Sequence, residues 1–191
     1  MSALLAAAQT LPHDLHPLAA LLENGVMAWG LAACGAAQLS KLLIELAVHR
    51  RWRPAVLVET GGMPSSHSAL MTGTAAGIGW QMGFADPLFS LAAALCFVVL
   101  YDASGVRRAA GRISERVNAL PPALWQPEPA LEPAGEGLPP LKENLGHTKL
   151  EVLAGSVMGP AVALPGLALV GSPLDLVAGL ASLLAHPAAL G

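Results

Sequence analysis

The strongest constraint on this chain is a set of apolar segments that approach or reach the length needed to cross a lipid bilayer. A helix of about 20 residues spans the hydrocarbon core, and stretches of this kind run from about Gly25 to His49, Pro64 to Phe84 and Pro87 to Tyr101. Of the 191 residues, 54% are hydrophobic and 12% are charged, against about 25% charged residues in an average soluble domain. The sequence therefore predicts an integral membrane protein, for which nucleic acid is not an expected partner.

Two further apolar segments complete the predicted architecture, over about 152–170 and about 174–184. We expect Pro160 and Pro165 to interrupt the helix of the first segment. The fold class is then all-α: a polytopic bundle of about five transmembrane or membrane-embedded helices, in a single membrane domain 1–191. An N-terminal segment (1–24) precedes the bundle. Residues 121–140 hold seven prolines, a composition that predicts a disordered cytoplasmic linker.

The placement of basic residues predicts the orientation. All ten Lys and Arg lie between Lys41 and Lys149, whereas the turns expected near 84–87 and 165–173 contain none. Cytoplasmic loops of membrane proteins carry an excess of Lys and Arg. We therefore expect the basic loops, and the polar helix ends beside them, to lie on the cytoplasmic side of the membrane.

The stretch Gly61-Gly62-Met63-Pro64-Ser65-Ser66-His67-Ser68 predicts a helix start with Ser65 or Ser66 as its N-cap. The free N–H groups of such a start carry partial positive charge and bind anions. His67 would then stand in the first turn beside a bound phosphate or carboxylate. The alternative is an ordinary N-cap with a surface histidine.

A first group of cations lies before this helix. Lys41 and Glu45 are four residues apart near the end of an apolar helix. Either the two side chains form an ion pair, or Lys41 faces the basic loop. Arg53 belongs to the basic segment His49–Pro54, which either holds the topology and touches anionic lipid or contacts a substrate phosphate.

The third polar cluster follows the apolar helix that ends at Tyr101. Asp102 is costly at such a position unless it is paired, and Arg107 and Arg108 are its nearest partners in sequence. The pair is interpreted as structural or as part of a site. The continuation to Leu120 is amphipathic and predicts a helix at the membrane interface.

A helical pattern restarts near Leu141, and within it His147 and Glu151 are four residues apart. On a helix this spacing places both side chains on one face, within hydrogen-bonding reach. The pair is either purely structural or a histidine that a carboxylate orients for nucleophilic attack.

On a membrane map these polar groups converge on one side. Two histidines, a carboxylate and several cations fit chemistry on a phosphorylated lipid, since Arg and helix N–H groups can hold phosphoryl oxygens and a second histidine can protonate the leaving oxygen. No convincing metal site is apparent. The glycine pairs Gly73-x-x-x-Gly77 and Gly155-x-x-x-Gly159 favour close helix packing and allow association into a homo-oligomer.

Three motifs, G-G-M-P-S-S-H-S, Y-D-A-S-G-V-R-R-A-A-G and L-G-H-T-K-L-E-V, make residues 25–165 resemble a known family. This is the divergent branch of the type 2 phosphatidic-acid phosphatase superfamily, also described as acid phosphatase/vanadium-dependent haloperoxidase-related. The resemblance implies a metal-independent membrane phosphatase without a cofactor. Its substrate would be a lipid or isoprenoid phosphate, hydrolysed through a phosphohistidine intermediate.

The resemblance also implies a role for each matched residue. Pro64-Ser65-Ser66-His67 is similar to the P-S-G-H motif of the superfamily, with Ser66 in place of glycine, and makes His67 the general acid. His147-x-x-x-Glu151 is similar to H-x-x-x-D, with Glu for Asp, and makes His147 the nucleophile and Glu151 its orienting carboxylate. The remaining matches are substrate-binding residues, with Asp102 in support: Lys41, Arg53, Ser65, Ser66, and Arg107 or Arg108.

The motifs also differ from the superfamily in spacing. Eleven residues separate Lys41 from Arg53, more than in the first motif of the superfamily, and a long insertion separates Arg108 from His147. A second function therefore stays open beside the phosphatase: a non-catalytic membrane protein that binds anionic lipid or scaffolds a partner.

Overall fold

The structure is a computed structural model that describes residues 16–57, 61–121, 124 and 139–185, and the regular elements in these ranges are helices. Residues 1–15 of the N-terminal segment and most of the linker 121–140 lie outside the described residues. Within the described ranges the elements are, in chain order, α1 His16–Glu23, α2 Gly25–His49, the 3₁₀ turn Pro54–Leu57, α3 Ser66–Met82, α4 Pro87–Tyr101, the π-helix Asp102–Val106, α5 Arg107–Asn118, α6 Lys149–Leu169 and α7 Pro173–Ala185.

In the part of the chain that the structure describes, three helical stretches are long and apolar enough to cross a bilayer: α2, the continuous stretch Pro87–Asn118, and α6. Their exposed surfaces carry large apolar side chains such as Leu43, Phe97 and Leu169, which suit a lipid environment better than water. The prediction of an integral, all-helical membrane protein is thus confirmed. With 17 and 13 residues, α3 and α7 are shorter, so five spanning helices stay a prediction.

Helix α3 lies at the centre of the bundle and packs against α2, α4 and α6. Small residues make this possible: Ala33, Ala37 and Ala69 are fully buried at the contact of α2 with α3. A Cβ at Gly159 of α6 would lie 2.5 Å from the carbonyl oxygen of Ala69. Since helices in lipid associate through close packing rather than hydrophobic burial, the predicted glycine face of α6 is confirmed as a contact with α3.

The contacts make α2 antiparallel to α3, whereas α6 runs parallel to α3. At one end of the bundle the Trp29 indole N–H donates to the carbonyl of Gly171 at 2.8 Å, which joins the start of α2 to the end of α6. At the other end the backbone N–H of Ser65 donates to the carbonyl of Glu151 at 2.9 Å. The polar helix ends therefore meet at a single end of the bundle, as the sequence predicted.

The predicted interruption of the last long helix is wrong, because α6 runs unbroken through Pro160 and Pro165. Proline removes one backbone donor and displaces one carbonyl. In membrane helices, packing neighbours and small backbone adjustments satisfy the freed groups, and α6 lies against α2 and α3 along its length.

The predicted helical restart near Leu141 is also wrong, since α6 begins only at Lys149. The side chain of Asn118 instead binds the incoming chain, accepting from the N–H of Leu141 and donating to its carbonyl, both at 2.9 Å. Gly146 then adopts a positive φ of 76°, which glycine tolerates without strain. The segment 139–148 thereby crosses α5 and delivers His147 to the bundle end.

Candidate functional site

Two helix starts stand side by side at the polar end of the bundle. Ser65 caps α3, its side-chain oxygen accepting from the N–H of Ser68, while the N–H of Ser65 donates to the carbonyl of Glu151 in the first turn of α6. Gly155 makes this approach possible, because any Cβ there would collide with the Ser65 carbonyl. Two partially positive helix ends therefore face the same place, which favours an anion.

His147 precedes the first turn of α6 and is 5% exposed. Its Nδ1 lies 3.0 Å from Oε2 of Glu151, so the predicted hydrogen bond is confirmed. Its predicted cause, a shared helix face, is wrong. Thr148 is the N-cap, and Glu151 turns back in a capping box to accept from the Thr148 N–H at 3.1 Å. The same carboxylate oxygen of Glu151 thus also reaches His147, which lies outside the helix.

This hydrogen bond determines the chemistry available to the imidazole. A carboxylate beside Nδ1 favours the tautomer with the proton on Nδ1, which leaves the lone pair on Nε2. Nε2 of His147 has no hydrogen-bond partner among the described residues. The backbone is fixed as well, since the N–H of His147 donates to the carbonyl of Ala103 at 2.8 Å. His147 is thus held in place by two hydrogen bonds, one at its backbone N–H and one at Nδ1 of its ring.

The acceptor for that backbone bond comes from the π-helix Asp102–Val106, which the sequence analysis missed. Widening the helix by one residue changes the regular pairing of its carbonyls, and here the Ala103 carbonyl accepts from His147. The returning chain lies so close that a Cβ at Gly111 would meet the Glu143 carbonyl at 2.6 Å. The available signal was Ser104-Gly105 within an apolar helix, because Gly/Ser pairs are among the places where helices depart from regular geometry.

His67 lies in the first turn of α3 and shares a small pocket with His147. The pocket measures about 30 Å³, enough for about one water molecule, and its lining residues come from both helix starts and the π-helix: Gly61, His67, Val99, Asp102, Ala103, Arg107, Gly146 and His147. The ring of His67 is exposed at its outer side and has no hydrogen-bond partner among the described residues. It is free to exchange a proton with a bound group.

Burial and nearby basic groups both act on the imidazole of His67. Partial burial of the imidazole lowers the pKa of His67, and the neighbouring basic groups of His147, Arg107 and Lys41 lower it further. The charges of Arg107 and Lys41 would also attract a phosphate. Because a bound dianion adds charge of the opposite sign, it would favour the protonated form of His67.

The two predicted arginines face different spaces. Arg107 lines the histidine pocket, and its Nε donates to Oδ2 of Asp102. Arg108 lines a second cavity of about 380 Å³, together with Arg53, Glu143 and Glu151. The two cavities share Gly61 and Gly146 in their walls. The pairing of Asp102 with Arg107 is confirmed, and the long insertion before His147 still allows Arg108 and Glu151 to meet.

Lys41 is 4% exposed on α2, and its Cδ lies 3.8 Å from where a Cβ of Gly62 would stand. Its charge interacts with Glu151 and His67. The alternative pairing with Glu45 is not what the structure contains: the carboxylate of Glu45 lies 3.9 Å from Nε2 of His49. Lys41 therefore supplies positive charge beneath the site.

Ser65 and Ser66 are both buried at the start of α3. The hydroxyl of Ser65 is occupied, since it also accepts from the Ser68 hydroxyl at 2.9 Å. The first turn leaves the backbone N–H groups of Ser66 and His67 without intrahelical partners. At this helix start the backbone N–H groups of Ser66 and His67 are therefore available as donors for an anion.

Within the described ranges, no group of three or more His, Cys, Asp or Glu side chains is arranged to hold a metal ion. Cys34 is half-buried and Cys96 is buried, both as free thiols. The chemistry that the described side chains offer is proton transfer, nucleophilic attack by nitrogen, and binding of an anion.

Comparison with known proteins identifies relatives that cover most of this chain. The family model described as "Divergent PAP2 family" matches residues 22–162. A relative from Bacillus subtilis (strain 168), described as the uncharacterized membrane protein YuiD, is 35% identical over 147 residues, covering 73% of this chain and 91% of its own length. No solved structure matches significantly.

Proposed function

The chain belongs to the divergent PAP2 family, and from this membership and the geometry of the site we propose that it is a metal-independent membrane phosphatase. Its substrate is a lipid or isoprenoid phosphate monoester or diphosphate. The observation that carries the proposal is the hydrogen bond between the Ser65 N–H and the Glu151 carbonyl, because it brings His67 and the His147–Glu151 pair to one pocket.

The reaction proceeds in two displacements. Nε2 of His147 attacks the phosphorus, the P–O bond to the alcohol breaks, and His67 gives its proton to the leaving oxygen. Glu151 holds the Nδ1–H and balances the positive charge that develops on the ring. A water molecule then attacks the phosphohistidine, the P–N bond breaks, and His67 accepts the proton of that water.

The charge on the phosphoryl oxygens is held by groups from four directions. The free N–H groups at the start of α3 point at the anion, Lys41 contributes its charge from below, and Arg53 and Arg108 reach it from the larger cavity. The small pocket must join that cavity to admit a phosphoryl group. The exposed side chains of His67 and Arg107 are the groups that can move to open it.

The orientation follows from the same charges. The site lies at the end of the bundle that carries the basic clusters, and the positive-inside rule assigns this end to the cytoplasmic side. The substrate would then be a phosphorylated lipid of the cytoplasmic leaflet.

Two features support a second candidate, a protein that binds anionic lipid without hydrolysing it. Arg107 is paired with Asp102, and the histidine pocket is smaller than a phosphoryl group. If these features persist when lipid binds, the phosphate would rest in the larger cavity, away from Nε2 of His147.

The test is phosphate release by the purified protein from phosphatidic acid, phosphatidylglycerophosphate and prenyl diphosphates. His147→Ala is the critical variant, and His49→Ala is its matched control, since His49 is exposed at the end of α2 outside both cavities. We expect turnover by the wild type and His49→Ala and loss of turnover in His147→Ala. Equal turnover by all three proteins would reject the assignment of His147 as the nucleophile. Lipid binding without phosphate release would favour the second candidate.

A further inference from the structure

An apolar groove of about 420 Å³ lies between α3, α4 and α6. Its walls include Ala75 on α3, Ala93 and Cys96 on α4, and Leu164 on α6. Thr72 contributes a hydroxyl, but this hydroxyl donates to the carbonyl of Ser68 at 2.8 Å. Because the lining offers no free polar side-chain donor, a hydrocarbon is the ligand that fits it.

The groove begins next to the histidine pocket. Leu100 lines the groove and Val99 lines the pocket, so adjacent residues of α4 face the two spaces. On α3, Thr72 follows His67 by five residues, which is about 7.5 Å along the helix axis. A chain attached to a phosphate in the pocket would therefore reach the groove within a few bonds.

Two aromatic rings line the opposite end of the groove, which we call its floor. Phe84 and Phe89 pack edge to face, with ring centroids 5.1 Å apart and planes at 87°. Gly79 makes room for them, because a Cβ there would lie 2.5 Å from the ring of Phe84. From Leu100 to Phe89 the helix rises about 16 Å, which is about half of the ~30 Å hydrocarbon core and thus the depth of one leaflet.

We propose that this groove holds the hydrocarbon chain of the phosphorylated lipid, and that the Phe84–Phe89 pair sets the longest chain accepted. The occupant is a substrate chain rather than a bulk bilayer lipid for two reasons: the groove adjoins the anion site at one end, and it has a floor at the other. The effect on turnover rests on the proposed phosphatase function, whereas binding of the chain does not.

Turnover of single-chain alkyl phosphates in mixed micelles tests the length limit. Hexyl, tetradecyl and octadecyl phosphate form the series, and each variant is compared with wild type on the same substrate, so that partition into the micelle cancels. Ala93→Leu fills the groove, and Ala94→Leu is its control because Ala94 is exposed and does not line the groove.

We expect Ala93→Leu to lower kcat/KM for tetradecyl phosphate about tenfold, as overpacking of a filled site does, while hexyl phosphate and Ala94→Leu are unaffected. Phe89→Ala removes part of the floor and should raise kcat/KM for octadecyl phosphate relative to tetradecyl phosphate. The same chain-length profile in wild type, Ala93→Leu and Phe89→Ala would overturn the proposal.

Photolabelling separates this proposal from the catalytic one. The probe is a tetradecyl phosphate with a terminal diazirine, applied to His147→Ala protein in vesicles of phosphatidylcholine, and the control probe carries a trimethylammonium head on the same chain. We expect the phosphate probe to label the stretch 84–89 and inorganic vanadate to compete with it. Equal labelling by both probes would show ordinary bilayer lipid and refute the proposal. Selective labelling by the phosphate probe, together with no turnover by the wild type, would refute only the phosphatase function.

Discussion

Replacing Glu151 by glutamine separates the structural role of this side chain from its proposed role in catalysis. Oε2 of Glu151 accepts from the Thr148 N–H at 3.1 Å and lies 3.0 Å from Nδ1 of His147. Glutamine also serves in a capping box, so the start of α6 should persist. Loss of one charge at a helix start costs about 0.3–1 kcal/mol, which corresponds to a melting-temperature change of about 2–4 °C or less.

The expected effect on rate is larger. A hydrogen bond to a charged group contributes about 1.5–3 kcal/mol, and losing it from the transition state lowers the rate about 10–150-fold. A second effect acts in the same direction. If the glutamine amide donates to Nδ1 of His147, the ring proton moves to Nε2, and the attacking nitrogen loses its lone pair.

The assay compares kcat for a phosphate monoester in defined micelles with the melting temperature of the same preparation. Glu115→Gln is the matched control, because Glu115 is an exposed carboxylate of α5 that lines neither polar cavity. We expect Glu151→Gln to lose at least about tenfold in kcat and remain folded, and Glu115→Gln to change neither quantity. Equal kcat in the two variants would refute the orienting role of Glu151.

Three further predictions follow from the contacts of the bundle and the charges of the site. Gly159→Ala should lower the free energy of unfolding by about 1–3 kcal/mol, because the new Cβ would meet the Ala69 carbonyl. Gly35→Ala should be neutral or stabilising, because a Cβ at Gly35 has open space around it. Thermal unfolding of both variants checks this. His67→Ala should reduce kcat strongly for alkyl phosphates and weakly for p-nitrophenyl phosphate, whose leaving group needs no proton; equal losses would argue against a general acid. The pKa of His67, which burial and nearby cations lower, should rise when phosphate binds, so that phosphate affinity falls as the pH increases through the pKa of the bound state. NMR titration of the imidazole with and without phosphate measures this shift. An unchanged pKa would contradict a phosphate site that includes His67.

The sequence predicts the helices and their shared polar end well, because both depend on local signals. Ser65 is the N-cap as expected, and α3 ends two residues before the predicted Phe84. The placement of His67 and His147 at the same end of the bundle was also expected from the positions of the basic residues. Apolar length and charge placement are sufficient for these features, since a bilayer leaves few alternatives.

The features that sequence reasoning missed all depend on contacts between distant segments. Pro160 stays inside a helix because packing neighbours compensate for the lost donor. His147 meets Glu151 through a capping box rather than a helix face, and Asn118 directs the returning chain. The π-helix at Asp102–Val106 matters through the Ala103 carbonyl, which accepts from a residue 44 positions later in the chain. No local pattern encodes such pairings.

Arg107 and Arg108 face different cavities, and this difference also depends on contacts between distant segments. The sequence leaves open which of the two corresponds to the arginine of the superfamily motif. On a helix, adjacent residues point about 100° apart, so only the packing of the segment 143–147 determines which cavity each one faces. In the structure Arg107 is paired with Asp102, while Arg108 shares a cavity with Glu151.

The most direct test of the central claim is to trap the covalent intermediate. Protein is mixed with p-nitrophenyl phosphate, quenched under alkaline conditions that preserve a P–N bond, digested and analysed by mass spectrometry. The His67→Ala variant should accumulate the intermediate, because the second displacement lacks its base. We predict a phosphoryl group on His147 and none in His147→Ala. Phosphate on a different residue, or product release by His67→Ala without any phosphorylated His147, would contradict the account.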